Sequence, residues 1–393
     1  MSIALDVPVT QDLELATLRT LNYDWSVLLR GVWSDPRFNA PEIHPEWRQE
    51  FQEELLQLKA DGTNNSPPGW MIVGPGGSGK THFLSTCRQQ AVAQRYGFVL
   101  VDMTDVRSFW GTVLQGYIDS LQQEYADGKF QQQILIEKFL ATLPMNVPVE
   151  TAMKKIREYP VETLAAQVGK VVEIIRRQHP QETLQHHDII RELLAMTSHD
   201  SSIAAAGLNW LNAGQVDEEI RRQLGFTKSQ EEPRRIVKAL SWMMSLCGPT
   251  VVAFDQLDPI VQQLDPAARS AQDLDSQGQA ALAIISEIAH GLRSMREYTY
   301  DTLTVVACLD VTLETLRKYT ISTWQAGFQE PHVLKTLTSS EAARATSVSA
   351  RRGRLRKTGM MPPSPTWPIA ASALVEIAGQ TPRELLQLCD AHP

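Results

Sequence analysis

Eight consecutive residues, Gly74-Pro75-Gly76-Gly77-Ser78-Gly79-Lys80-Thr81, have the composition and spacing of a phosphate-holding loop. Four glycines remove side chains, so that successive backbone N–H groups can converge on anionic oxygens. Lys80 would reach the β- and γ-phosphates of a nucleoside triphosphate, and the Thr81 hydroxyl would complete the coordination of Mg²⁺. His82, directly after the motif, is counted with the loop as a nucleotide contact. The apolar run Trp70–Val73 precedes the loop, and a helix-compatible stretch from Thr81 to about Arg95 follows it. That strand–loop–helix context points the positive end of a helix at the same anion.

A second set of residues could act on what the loop holds. Val251-Val252-Ala253-Phe254-Asp255 reads as a buried strand ending in a carboxylate, and Asp255 would bind Mg²⁺ opposite Thr81. Gln256 follows where a glutamate would serve as proton acceptor; a glutamine can orient water but cannot take its proton. Either Asp258, the nearest further carboxylate, polarises the attacking water, or turnover is slow and the site works as a nucleotide-gated switch. Asp310 ends the next apolar strand, Leu303–Leu309, and is either a water-orienting group or a helix N-cap. In Thr381-Pro382-Arg383, threonine caps a helix that proline starts, which puts Arg383 in a first turn where the helix dipole gains nothing from a cation. It is either a γ-phosphate contact or a solvated arginine.

Positioning these groups requires a parallel sheet. Trp70–Val73, Phe98–Asp102, Val251–Asp255, Leu303–Leu309 and His332–Leu337 are the expected strands, and helices alternating with them imply an α/β fold. Residues 1–66 read as a helical segment, with an amphipathic run from Pro45 to Lys59 and a turn-rich linker over 61–69. Residues 67–104 and 247–338 make the nucleotide-binding core, and 105–246, strand-poor and broken by prolines, make a helical insertion. Residues 339–393 make a small helical lid, with a helix from Ser340 and short helices near 369–378 and 383–391. The end of the chain just after a helix reads as a boundary within a longer protein.

With 393 residues and a net charge of −8, the chain is not expected to coat nucleic acid over its whole surface. A local patch stays open, and Arg351, Arg352, Arg354 and Arg356 form the main basic run, a candidate DNA contact, arginine finger or solvated loop. No apolar run approaches the roughly 18–20 residues that span a bilayer. The four separate cysteines read as reduced thiols of a cytoplasmic protein. The histidines at 179, 186, 187 and 199 have no matching carboxylate or cysteine pattern, so no metal site is read there.

Taken together, GPGGSGKT at 74–81, VVAFDQLD at 251–258, TVVACLD at 304–310 and GQTPRELL at 379–386 resemble an AAA+ ATPase of the origin-recognition-like branch. The Asp-Gln-Leu-Asp strand end and the Pro365-Thr366-Trp367-Pro368 stretch are similar to large ATPases of prokaryotic phage-defence systems such as BREX. The resemblance implies an ASCE/AAA+-like P-loop NTPase using ATP and Mg²⁺, with Arg383 as a sensor 2 contact and Asp310 as a sensor 1. It also implies protein partners in a larger complex, and a homo-oligomer stays open. The rival readings are a nucleotide-gated scaffold with little turnover and a STAND-like sensor without DNA contact.

Overall fold

The computed structural model describes residues 29–33, 44–61, 65–125, 127–144, 146–262, 275–320, 322–336, 367, 372 and 379–391. Five short apolar runs become the strands of one parallel sheet: β1 (Trp70–Val73), β2 (Gly97–Asp102), β3 (Thr250–Asp255), β4 (Thr302–Cys308) and β5 (His332–Val333). Their order is β2-β3-β4-β1-β5. β1, β3 and β4 are buried along their whole length, as the continuous Val, Ile and Phe content of a sheet covered on both faces requires. Each fully buried Val or Phe contributes about 1.5–3 kcal/mol by leaving water. β5 is shorter than expected: it pairs with β1 only at Ile72↔His332 and Val73↔Val333. Beyond it the Leu334 amide still donates to the Val73 carbonyl, at 2.7 Å.

Helices α1 (Pro45–Asp61) and α2 (Lys80–Ala93) flank β1 in sequence. Between β2 and β3 run α3 (Phe109–Leu121), α4 (Gln131–Ala141), α5 (Val149–Glu158), α6 (Val161–Gln178), α7 (Pro180–Ala195), α8 (Ser201–Leu211), α9 (Glu218–Leu224) and α10 (Pro233–Ser245). After β3 come α11 (Asp258–Val261), α12 (Ser276–Tyr298) and α13 (Asp310–Tyr319), and α14 (Pro382–Ala391) is near the end. Contacts divide the chain into two units, residues 1–51, 72–87 and 332–393 in one, and 52–71 and 88–331 in the other. No helix among the described residues is long and apolar enough to cross a membrane.

In the second unit, the strand-poor region is helical throughout, but its first and last helices belong to the sheet. α3 lies on β2, where Gly116 allows the approach: a Cβ there would come within 2.9 Å of the Leu100 carbonyl oxygen. α10 packs on α3 and β3. β2 is an outer strand, and its spare main-chain groups are taken by side chains rather than by another strand. Ser120 Oγ accepts from the Leu100 amide at 3.0 Å, and Gln131 accepts from the Phe98 amide at 2.8 Å while donating to the Phe98 carbonyl at 3.0 Å. The core under β3 is aromatic. Phe254 stacks on Phe109 at 5.9 Å between ring centroids, and Gly291 of α12 lies so close beneath Phe109 that a Cβ would stand 2.2 Å from its ring.

In the first unit, the start of α1 lies against the start of α2. Trp47 stacks on His44 at 4.0 Å and meets Phe83 and His332 edge-on, at 6.1 and 5.0 Å. These contacts hold the first turn of α2, the turn that the loop 74–81 leads into.

Candidate functional site

The loop after β1 is closed by its own main chain. Ser78 donates to the Pro75 carbonyl at 3.2 Å, and Phe83 donates back to Gly79 at 2.8 Å as α2 begins. Gly77 and Gly79 stand at φ +79° and +102°, conformations that side chains resist. The amides of Gly76, Gly77 and Gly79 donate to no protein acceptor among the described residues. A Cβ built on Gly76 or Gly79 would meet no heavy atom within 4 Å, so those backbones border open space. Lys80, the first residue of α2, is turned over the loop, with Nζ donating to the carbonyls of Gly74 at 2.7 Å and Pro75 at 3.0 Å. Ser78 Oγ is buried without a hydrogen-bond partner. Bare amides around open space, an ammonium group and a buried hydroxyl fit a triphosphate, and the half-buried Thr81 supplies a hydroxyl for its metal ion. His82 is half-buried, and its pKa is pushed down to about 4, first by burial and then by Arg48 of α1, so its ring is neutral at pH 7.

The same unit brings the Thr381-Pro382-Arg383 motif onto the loop. Gly379 turns the chain at φ +99°, and α14 starts at Pro382 as its position in the sequence requires. Thr381 Oγ1 accepts from the Glu384 amide at 3.3 Å, while Glu384 accepts from the Thr381 amide at 2.8 Å. This reciprocal cap holds the Glu384 carboxyl below its usual range, through the Thr381 hydrogen bonds. Arg383 is exposed, and its amide donates to the Gly77 carbonyl at 3.3 Å. A Cβ on Gly77 would come within 2.7 Å of Arg383 Cβ, so a glycine there is also what admits the helix.

In the second unit, the tips of β3 and β4 carry the remaining candidates. Asp255 is 3% exposed; its carboxylate accepts from the Gln256 amide at 2.9 Å, and its carbonyl from the Met103 amide at 3.0 Å. Asp102 is its register neighbour on β2 and is occupied locally by the amide and hydroxyl of Thr104. Gln256 adopts φ +64°, a left-handed conformation unusual for a residue with a side chain. No sequence signal announces it, and backbone strain of this kind clusters at functional turns.

Asp258 ties two elements together through one carboxylate oxygen. Its Oδ1 accepts from the Leu309 amide at 2.8 Å and from Thr312 Oγ1 at 2.6 Å, tying the start of α11 to the start of α13. Asp310 does not cap α13. The cap position is Leu309, and Asp310 is the exposed first helical residue. The amide of Leu309, at the cap position itself, finds its acceptor in Asp258, 51 residues earlier. Among the candidate residues, then, 74–82 and Arg383 belong to the first unit, and Asp255, Gln256, Asp258 and Asp310 to the second.

The basic run at 351–356, the helix expected from Ser340, the Pro365–Pro368 stretch apart from Trp367, and most of 369–378 lie outside the described residues. Cys87, Cys247 and Cys308 are free thiols, and burial pushes the pKa of Cys247 up to about 12 and that of Cys87 higher still, which makes both unreactive. No protein-family model matches the chain, and no curated protein is similar to it.

Proposed function

We propose that the protein binds ATP with Mg²⁺ at residues 74–81 and hydrolyses it, as an AAA+-like module whose nucleotide state is coupled to a partner. The observation that carries this reading is the loop: three amides without protein acceptors among the described residues, two of them on glycines that border open space, beside Lys80 and a helix N-terminus. The strand order supports it, since β4 stands between the loop strand and the strand of Asp255, which is consistent with an ASCE-type phosphate-loop fold. In this reading, Lys80 leaves the Gly74 and Pro75 carbonyls for the β- and γ-phosphates, and Thr81 and Asp255 supply oxygens to the metal. A metal ion held there would supply charge neutralisation for transfer of the γ-phosphoryl group to water. Gln256 orients that water, and Arg383 carries the nucleotide's state to α14. The resemblance extends the reading to a larger antiviral-defence complex, with DNA or a protein as the partner.

A second reading, a nucleotide-gated scaffold with slow turnover, is favoured by one observation. Asp258 holds Leu309 and Thr312 through Oδ1, and Gln256, the residue after Asp255, cannot itself accept a proton. Measured ATP affinity tests the common core of both readings. Lys80→Ala should weaken binding by at least about 100-fold, from the loss of charge-assisted hydrogen bonds to phosphate. An unchanged affinity would show that the loop is not the site. Single-turnover hydrolysis by the unaltered protein then separates an enzyme from a switch.

A further inference from the structure

On the second unit, aromatic rings and cations alternate along one face. α10 presents Arg234 and Lys238 one turn apart, and the chain around the end of α12 presents Tyr298 and Tyr300. The Arg234 guanidinium lies over the Tyr298 ring at 3.6 Å from its centroid and 5.4 Å from that of Trp110, whose ring is 5.8 Å from Tyr298. Lys238 lies 5.5 Å from Tyr298 and 5.9 Å from Tyr300, and His186 closes the row at 6.5 Å from Tyr300. Trp110, Tyr298 and Tyr300 are all partly open to solvent.

Neither cation has a carboxylate partner among the described residues, and Arg234 Nε is buried without a hydrogen-bond acceptor. By contrast, the neighbouring Arg235 and Lys228 are both paired with Glu231. The carboxylates whose field reaches the row, Glu182 and Glu231, act at its His186 end. Burial, followed by Lys238, lowers the pKa of His186 to about 4, so this ring is neutral at pH 7 and the row's positive charge is that of Arg234 and Lys238. Unpaired cations interleaved with half-open aromatic faces are what a single-stranded nucleic acid uses: bases stack on rings and guanidinium planes, and phosphates take the charges.

We infer that the face formed by Trp110, Arg234, Lys238, Tyr298 and Tyr300 binds single-stranded nucleic acid. This surface is separate in sequence from the basic run at 351–356, and the inference stands whether or not loop 74–81 binds ATP. Bases stack on the outer face of the Arg234 guanidinium and on the open side of Trp110, and the backbone phosphates pair with Arg234 and Lys238. A flat stacking surface disfavours a duplex, whose bases are already stacked on each other.

The test is fluorescence anisotropy of the full chain with a labelled thymidine 20-mer and with a 20-base-pair duplex, at 50 and 200 mM salt. The expected result is single-strand binding that weakens with salt. Arg234→Gln with Lys238→Gln should reduce it at least about tenfold and flatten the log–log salt slope by about 1.4, roughly 0.7 for each lost phosphate contact. Tyr298→Ala should cost about tenfold, and Tyr298→Phe, which keeps the ring, should bind like the unaltered protein. ATP affinity and circular dichroism check that each variant is folded. Absence of salt-dependent binding, binding unchanged in the double variant, or duplex binding as tight as single-strand binding and indifferent to Tyr298 would each overturn the inference. The row would then serve only to fasten α10 to α12.

Discussion

The ends of β1 and β3 both carry candidate chemistry, and they are built by opposite means. After β1 the working groups are the main-chain amides of Gly76, Gly77 and Gly79, for which the described residues offer no acceptor. Their geometry rests on two positive φ angles that glycine supplies freely. At the β3 end the working groups are side chains, and these carboxylates have engagements: Asp102 of neighbouring β2 with Thr104, Asp255 with Gln256, Asp258 with Leu309 and Thr312. The first design would suit an anion with whatever side chains surround it. The second fixes distances between carboxylates and is sensitive to every atom in the network.

Changes at the β3 end should therefore damage chemistry or stability while leaving nucleotide affinity in place. Asp255→Asn should lower ATP turnover at least about 100-fold, because metal-based charge stabilisation is worth several kcal/mol, with affinity changed by no more than about threefold. Steady-state hydrolysis alongside a binding titration reads both, and an undiminished turnover would reduce the β3 end to a structural device. Asp258→Ala should destabilise the fold by about 3 kcal/mol in urea unfolding, from two hydrogen bonds to a charged acceptor. Asp258→Asn, whose carbonyl can still accept both, should keep most of that stability and most of the turnover. A large loss of turnover in Asp258→Asn with stability intact would restore a proton-accepting role to that carboxylate.

Protonation probes both units together. His82 and His186 each have a folded-state pKa near 4, against an ordinary 6.5. Between these values the unfolded chain takes up protons that the folded chain refuses, so stability is full above about pH 6.5 and falls as pH drops toward 4. Urea titrations at pH 7.5, 6 and 5 should show that decline, and His186→Gln should make it shallower. The smallest effect is expected at Gln256. Gln256→Gly should stabilise the fold by about 0.5–1 kcal/mol, the relief of a left-handed side chain less the extra freedom of unfolded glycine, while slowing turnover. A loss of stability there would mean that the glutamine side chain contributes more packing than its backbone costs.

The loop and four of the strands could be read from the chain because their physics is local. Runs such as Trp70–Val73 and Val251–Asp255 need only apolar continuity, and the 74–81 loop needs only glycines at the turning points. The α14 start was legible for the same reason, since Thr381, Pro382 and Glu384 form its cap within four residues. What could not be read depends on partners far along the chain. Asp258 is tied to residues 51 and 54 positions away, and the cap of α13 comes from outside its own helix. The Gln131 clasp on the outer edge of β2 and the Arg234–Tyr298 stack are likewise unions of distant segments.

The hydrogen bond from Arg383 to Gly77 makes the terminal helix a pointer with its pivot on the loop. Ten residues give it a length of about 15 Å, so a tilt of about 10° at the pivot would swing its tip through roughly 2–3 Å. A rearrangement of one peptide plane, too small to be felt elsewhere in the fold, would arrive at the far end as a displacement that a neighbouring surface can read.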